Sequence, residues 1–167
     1  MIITLRSFGI TFQVSMRRSP RVHGINSVLR GNVPGENKHA ILMDIDSAPS
    51  LLELCHVLDR LLEKYTISDA HILRSSGNPD DERTWKYHVY IFTAVSLVRA
   101  FEILNDPIVP YSDKMHVKLG IMRDYWTLRI TSKDYKYQKL AVVPGYAPAN
   151  ISPRDLKERE TYYRHSL

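Results

Sequence analysis

The chain has 167 residues, of which 44% are hydrophobic and 25% charged, a balance that fits an ordinary folded domain and excludes a polar, disordered chain. A formal net charge of +5 favours an anionic partner, whether nucleic acid, nucleotide or membrane surface. The single cysteine, Cys55, excludes an internal disulfide framework and a multi-cysteine zinc site, and no apolar run approaches the ~18 residues of a membrane span.

Residues 1–16 alternate loosely around Gly9, with Ile3, Leu5, Ile10, Phe12 and Val14 apolar, and predict a strand or hairpin. They lack the charged-then-apolar pattern of a signal peptide, which makes a reducing cytoplasm the expected compartment, with no membrane partner. Residues 17–38 interleave Arg17, Arg18, Arg21, His23 and Arg30 with Pro20, Gly24, Gly31, Pro34 and Gly35. Breakers at that density predict a loop: a basic arm that grips phosphates, or an ordinary solvated loop.

The apolar run Ala40-Ile41-Leu42-Met43 then ends in Asp44-Ile45-Asp46. On a strand, side chains alternate between faces, so both aspartates share one face while Met43 and Ile45 share the other. Two carboxylates so placed suit Mg²⁺ or Mn²⁺, hard cations that take oxygen ligands. Pro49 marks a helix start, and Leu51, Leu54, Cys55, Leu58, Leu61 and Leu62 follow the helical period, with His56 at the polar edge. This helix is expected beneath the sheet, against Met43 and Ile45.

A second strand is expected over 68–75, ended by Ser75-Ser76-Gly77, and a polar hairpin loop over Asn78 to Arg83, whose acids Asp80, Asp81 and Glu82 read as solvated. In the strand Trp85 to Phe92, alternation buries Tyr87, Val89 and Ile91 and turns Lys86, His88 and Tyr90 to the wet side. A second helix spans Val95 to Leu104. Residues 115–131 predict a hairpin with Arg123-Asp124 near its turn and Thr127 and Arg129 on the aspartates' side. A short last helix is expected from Ser152-Pro153 through Arg159. The elements make an α+β chain, a ferredoxin-like or RRM-like antiparallel sheet of order β-α-β-β-α-β plus extra strands, with helices on one face. One domain over 1–167 is expected, with strand and basic loop over 1–38, the core over 39–133, and a basic aromatic extension with its helix over 134–167.

The strand Met43-Asp44-Ile45-Asp46, the later Ser76-Gly77 and His88, and the distal Leu128-Arg129 followed by Lys133 resemble the archaeo-eukaryotic primase superfamily, which includes plasmid and viral primase-polymerases. The resemblance covers about residues 39 to 133. It implies two-metal-ion nucleotide addition on a single-stranded DNA template in replication, with Mg²⁺ or Mn²⁺ on Asp44 and Asp46 and with NTP or dNTP as substrate. His88 would contact a phosphate of the incoming nucleotide beside Ser76 and Gly77, while Arg129, Lys133 and Lys86 would add positive charge. Arg17, Arg18, Arg21 and Arg30 would meet the template. A helicase or accessory primase subunit would act as partner, and a plasmid- or virus-borne chain would work in the host cytoplasm.

The chain departs from the family pattern in two places. Residues 78–87 separate Ser76 and Gly77 from His88, and the third metal-binding acid has no fixed position. Asp113 and Asp124 are the candidates, with His116 or Lys118 where an acid is expected. Three other readings stand beside this one, the plainest being an interaction protein in which Asp44 and Asp46 only mark the start of a helix. A non-catalytic RRM-like single-strand binder would stack bases on rings of the His88 strand. A rolling-circle replication endonuclease would use Tyr135 or Tyr137 as nucleophile, with His88 supplying only one histidine.

Overall fold

The computed structural model describes residues 2–7, 10–15, 21–29, 37–129 and 138–162. Two short strands, β1 (Ile2–Ser7) and β2 (Ile10–Ser15), pair antiparallel as a two-stranded sheet, as the loose alternation predicts.

The larger sheet is built on β4 (Lys38–Ile45) and β6 (Lys86–Ser96), which pair antiparallel with Asp44 opposite His88 and Met43 opposite Val89. Residues Ala40, Ile41, Leu42 and Met43 are all fully buried, so β4 is covered on both faces, which is why its apolar run is continuous rather than alternating. Between the two strands in sequence lie α1 (Leu51–Tyr65) and β5 (Ala70–Ser76). Ser50 caps α1 by accepting the Glu53 N–H at 3.1 Å, and Leu54, Leu58, Leu61 and Leu62 join Met43 and Ile45 in one core, as expected. Helix α2 (Leu97–Leu104) adds Ala100, Ile103 and Leu104 to that core. The order strand, helix, strand, strand, helix is therefore the one expected from residues 39 to 104.

Further along, the chain departs from its sequence reading. Residues 115–123 are not a strand. They belong to α3 (Lys114–Arg123), capped by Asp113, which accepts the Met115 N–H at 2.8 Å, and closed by Asp124 in the left-handed region at φ 60°. The entry to this helix covers the part of β4 that lies beyond its pairing with β3 at Val28 and His39. The Asp113 N–H donates to the Asp44 carbonyl at 2.8 Å and the His116 ring to the Leu42 carbonyl at 3.2 Å. Among the described residues, β7 (Thr127–Arg129) is what remains of the expected return strand.

The segment expected to be a loop contains β3 (Arg21–Leu29), which pairs with β7 through Gly24, Ile25 and Asn26. A Cβ on Gly24 would lie 2.9 Å from the Thr127 methyl, so the glycine acts here as a close-approach residue rather than a breaker. The expected final helix is a 3-10 turn at Pro153–Asp155 followed by β9 (Leu156–Tyr162), which pairs antiparallel with β3. With β8 (Gln138–Val143) on β5, the strand order is β7-β3-β4-β6-β5-β8, antiparallel throughout, with β9 on β3. No described helix is long and apolar enough to cross a membrane.

Candidate functional site

Direct pairing of Asp44 with His88 puts both side chains on one face of the sheet, and alternation adds Asp46 and Lys86 to it. Strand β5 contributes from the other side of β6. Its register against β6 slips between Arg74 and Ser76, a bulge that brings Ser75 into the same cavity as Ser76. The loop after Gly77 folds back on itself, with the Trp85 indole N–H donating to the Asn78 carbonyl at 2.7 Å, so Ser76 pairs with Lys86. The ten intervening residues therefore do not separate Ser76 from His88.

Strand β7 supplies the remaining wall. Asp44, Asp46, Ser75, Ser76, Lys86, His88, Thr127, Leu128 and Arg129 together line a cavity of about 290 Å³. Asp44, Asp46, Ser76, Lys86, His88 and Arg129 of the sequence reading thus line one cavity, and β7 lines it with Thr127, Leu128 and Arg129 alike rather than with alternate residues. Ser75 was missed, because a bulge leaves no local signal in the sequence. Gly77 holds φ +111° and a Cβ there would meet the Thr84 carbonyl, so its role is to turn the chain out of β5. Asp113 does not line the cavity; its carboxylate is engaged at the start of α3. Lys133, Arg17, Arg18 and Arg30, like Tyr135 and Tyr137, lie outside the described residues, and of Arg21 only the strand position is described. A larger cavity of about 480 Å³, lined by Lys38, His39, Leu97, Val98 and Asp124 among others, gathers no comparable set of charges.

The wet side expected for β6 is corrected here: His88 and Tyr90 are each only 4% exposed and Tyr87 is fully buried, so neither tyrosine offers a ring for base stacking. Burial has electrostatic consequences. The Asp44 carboxyl is pushed up to about 6, first by burial and then by the charges of Asp46 and Asp113, against the pull of Lys86 and Arg129. His88 is pushed down to about 4 by burial, then by the charges of Arg129 and His116. Its ring also hydrogen-bonds the Arg129 backbone. Near neutral pH an ionised Asp44 therefore faces an uncharged imidazole, with Nε2 and Oδ1 3.7 Å apart, too far for a hydrogen bond. Asp46 differs: its Oδ1 lies 2.8 Å from the Lys86 ammonium, and that contact raises the lysine's pKa.

These two shifts act in opposite directions on acidification. Asp44 binds its proton more tightly in the folded state, so its contribution to stability is poorest above pH 6 and improves as the pH falls from about 6 towards 3.8. His88 binds its proton more weakly when folded, so its contribution is whole above pH 6.5 and is lost as the pH falls towards about 4. Each amounts to about 3 kcal/mol, so in the wild type they largely cancel. Urea unfolding between pH 4 and 7 is expected to expose them separately. Asp44→Asn should make stability fall more steeply with acidification, and His88→Gln should flatten or invert the slope. Parallel profiles for the two variants would rule out this account.

Asp44 and Asp46 fit a divalent cation of the Mg²⁺ type. Burial and then the charges of Asp46 and Asp113 raise the pKa of Asp44, a cost that a bound cation offsets, and Mg²⁺ accepts one or two carboxylates when waters and substrate phosphates complete its shell. Among the described residues no group of three or more His, Cys, Asp or Glu side chains is placed to share an ion, so substrate oxygens would have to supply more of the shell than in an all-protein site. No protein-family model matches the chain, no curated protein matches its sequence, and no solved structure matches its fold.

Proposed function

We propose that this protein is a metal-dependent nucleotidyltransferase, a small primase-polymerase that adds nucleotides on a single-stranded DNA template. The reading rests on one observation: two acids, two cations, a neutral imidazole and two serine residues meet in one cavity. Acids alone would suit a cation and bases alone an anion. Their mixture suits a polyanion delivered together with a metal, which is the form of a nucleoside triphosphate. At about 290 Å³ the cavity lies near the lower end of ligand pockets, room for a polyphosphate with the base outside.

Bound by Asp44 and Asp46, Mg²⁺ or Mn²⁺ would lower the pKa of the attacking 3′-hydroxyl and neutralise charge on the leaving pyrophosphate. The chain's own groups do the rest. The Arg129 guanidinium, on β7 in the lining of the same cavity, holds phosphate oxygens. Neutral His88 takes part as a hydrogen-bonding group rather than as a charge, with Ser75 and Ser76 beside it. Lys86 passes from Asp46 to the triphosphate when substrate enters. A purely single-strand-binding module gives the buried, charge-crowded Asp44 no task. A helicase or accessory subunit would supply the strand separation, and the expected workplace is the cytoplasm, that of the host cell for a plasmid- or virus-borne chain.

The test is primer-free synthesis on single-stranded DNA with labelled nucleotides and Mn²⁺ or Mg²⁺. Product supports the reading; absence of both product and metal-dependent nucleotide binding refutes it. Lys86 allows a narrower test. Its ion pair with Asp46 is half exposed, 47% and 43% for the two side chains, so it is weak and easily displaced. Lys86→Met is expected to tighten binding of Mn²⁺ alone by about two- to fivefold and to weaken nucleotide binding, a pair of opposite signs readable by titration calorimetry. Movement of both affinities in the same direction would contradict the exchange of Lys86 between Asp46 and phosphate.

A further inference from the structure

Beyond the cavity, the same face of the sheet continues over its other half. Leu73 on β5 lies directly opposite His88 on one side and Lys139 of β8 on the other, so Asp44, His88, Leu73 and Lys139 form one row across four strands. The neighbouring row runs Leu42, Tyr90, His71 and Val142. Towards β7 this face is closed: Leu42 is fully buried. Towards β8 it opens, with His71, Leu73 and Phe92 half-buried, Val142 38% exposed and Lys139 exposed. The His71 and Phe92 rings lie 5.3 Å apart and tilted, and burial followed by the Lys139 charge lowers the His71 pKa, which keeps that imidazole neutral.

We infer that this open half of the sheet, with Phe92, His71 and Leu73 as an apolar and aromatic floor and Lys139 at its edge, is a binding surface for single-stranded nucleic acid that leads into the cavity. The inference deepens the proposed function, since the occupant is the strand on which that site would act. Three observations select the occupant. The floor is continuous with the cavity through the Leu73–His88 pairing. It combines partly exposed rings with a cation at its border, the pattern of faces that stack bases and pair phosphates. The acid that acts on His71, Asp69, is engaged by the Gly145 N–H at 2.8 Å, and the chain's net charge is +5. Alternation puts His71 and Leu73 on one face of β5 and Phe92 on the His88 and Tyr90 side of β6, but the sequence does not show that the two strands bring these faces together.

The experiment uses the full chain and fluorescently labelled oligodeoxythymidylate and oligouridylate of about 12 nucleotides, with affinity read by anisotropy over a range of salt. Phe92→Leu keeps the packing and removes the ring, and is expected to weaken binding by about 5- to 30-fold. Lys139→Gln, at an exposed position, is expected to lower the slope of log affinity against log salt by about 0.7, one phosphate contact on a single strand, a change that loss of packing would not produce. The DNA and RNA probes separate the two sources of the strand. Unchanged affinity and unchanged salt slope in both variants would overturn the inference. Metal-dependent nucleotide binding, measured on the same variants, should stay at the wild-type value. Its absence in the wild type itself would sink the nucleotidyltransferase reading and leave the strand-binding surface to be judged on the oligonucleotide data.

Discussion

Replacing Asp44 and Asp46 together by asparagine is expected to lower primer-free synthesis by about 10³-fold or more while the folded protein becomes no less stable. The first half follows from the loss of both cation-holding carboxylates and with them several kcal/mol of charge stabilisation at the reacting phosphate. The second half follows from the ground state. Asp44 is ionised at neutral pH against burial and against the charges of Asp46 and Asp113, so exchanging it for a neutral amide of the same shape relieves a penalty of about 3 kcal/mol above pH 6. Synthesis measured beside urea unfolding at pH 7.5 separates the two effects. An inactive variant that is also markedly less stable would mean that the aspartates hold the fold rather than a cation. A variant that keeps its activity would remove the metal from this strand.

The aspartates and their neighbours on β4 were legible because short-range rules decide them. An uninterrupted apolar run flags a strand covered on both faces, and a two-residue spacing fixes which side chains share a face. Helix α1 was legible for the same reason, its leucines following the helical period up to a proline-marked start. The errors share a different cause. Val117, Leu119 and Ile121 alternate as a strand would, yet the residues that α3 buries are Val117 and Gly120, three apart. Binary patterning cannot see a helix that buries a glycine against a neighbouring ring. His88 and Tyr90 alternate with truly apolar residues and so read as wet. Both are buried at 4% exposure, and His88 sits against β7, whose Arg129 backbone its ring hydrogen-bonds; β7 is held in place by a pairing with β3 about a hundred residues away in sequence. Likewise Leu156–Tyr162 carries the charges of an exposed helix and becomes a strand because β3 offers it an edge. Long-range pairing outweighs local propensity at each of these places.

Gly120 yields a prediction on which two such rules disagree in sign. Within a helix, glycine to alanine is favourable by about 1 kcal/mol, so propensity alone expects Gly120→Ala to stabilise. Packing argues the reverse: a Cβ at this position would run into the Trp126 indole, and that indole is not free to move. Trp126 is 1% exposed, its ring N–H donates to the Val117 carbonyl at 3.3 Å, its backbone N–H to the Ser27 hydroxyl at 3.0 Å, and its ring meets His39 edge-on at 5.9 Å. Overpacking of such a site costs about 3 kcal/mol, which exceeds the propensity gain, so a net loss of about 2 kcal/mol is expected in urea unfolding. Because Trp126 runs straight into Thr127–Arg129, a displaced indole should also shift Arg129 and weaken nucleotide binding, although Gly120 touches nothing in the cavity. Trp126→Leu, itself destabilising by about 3 kcal/mol through the space it opens, should make room for the alanine. The double variant should then be more stable than the sum of the two single losses by about 1–3 kcal/mol, the mark of residues in direct contact. Strictly additive losses, or a Gly120→Ala protein more stable than the wild type, would show that the indole does not press on α3 in this way.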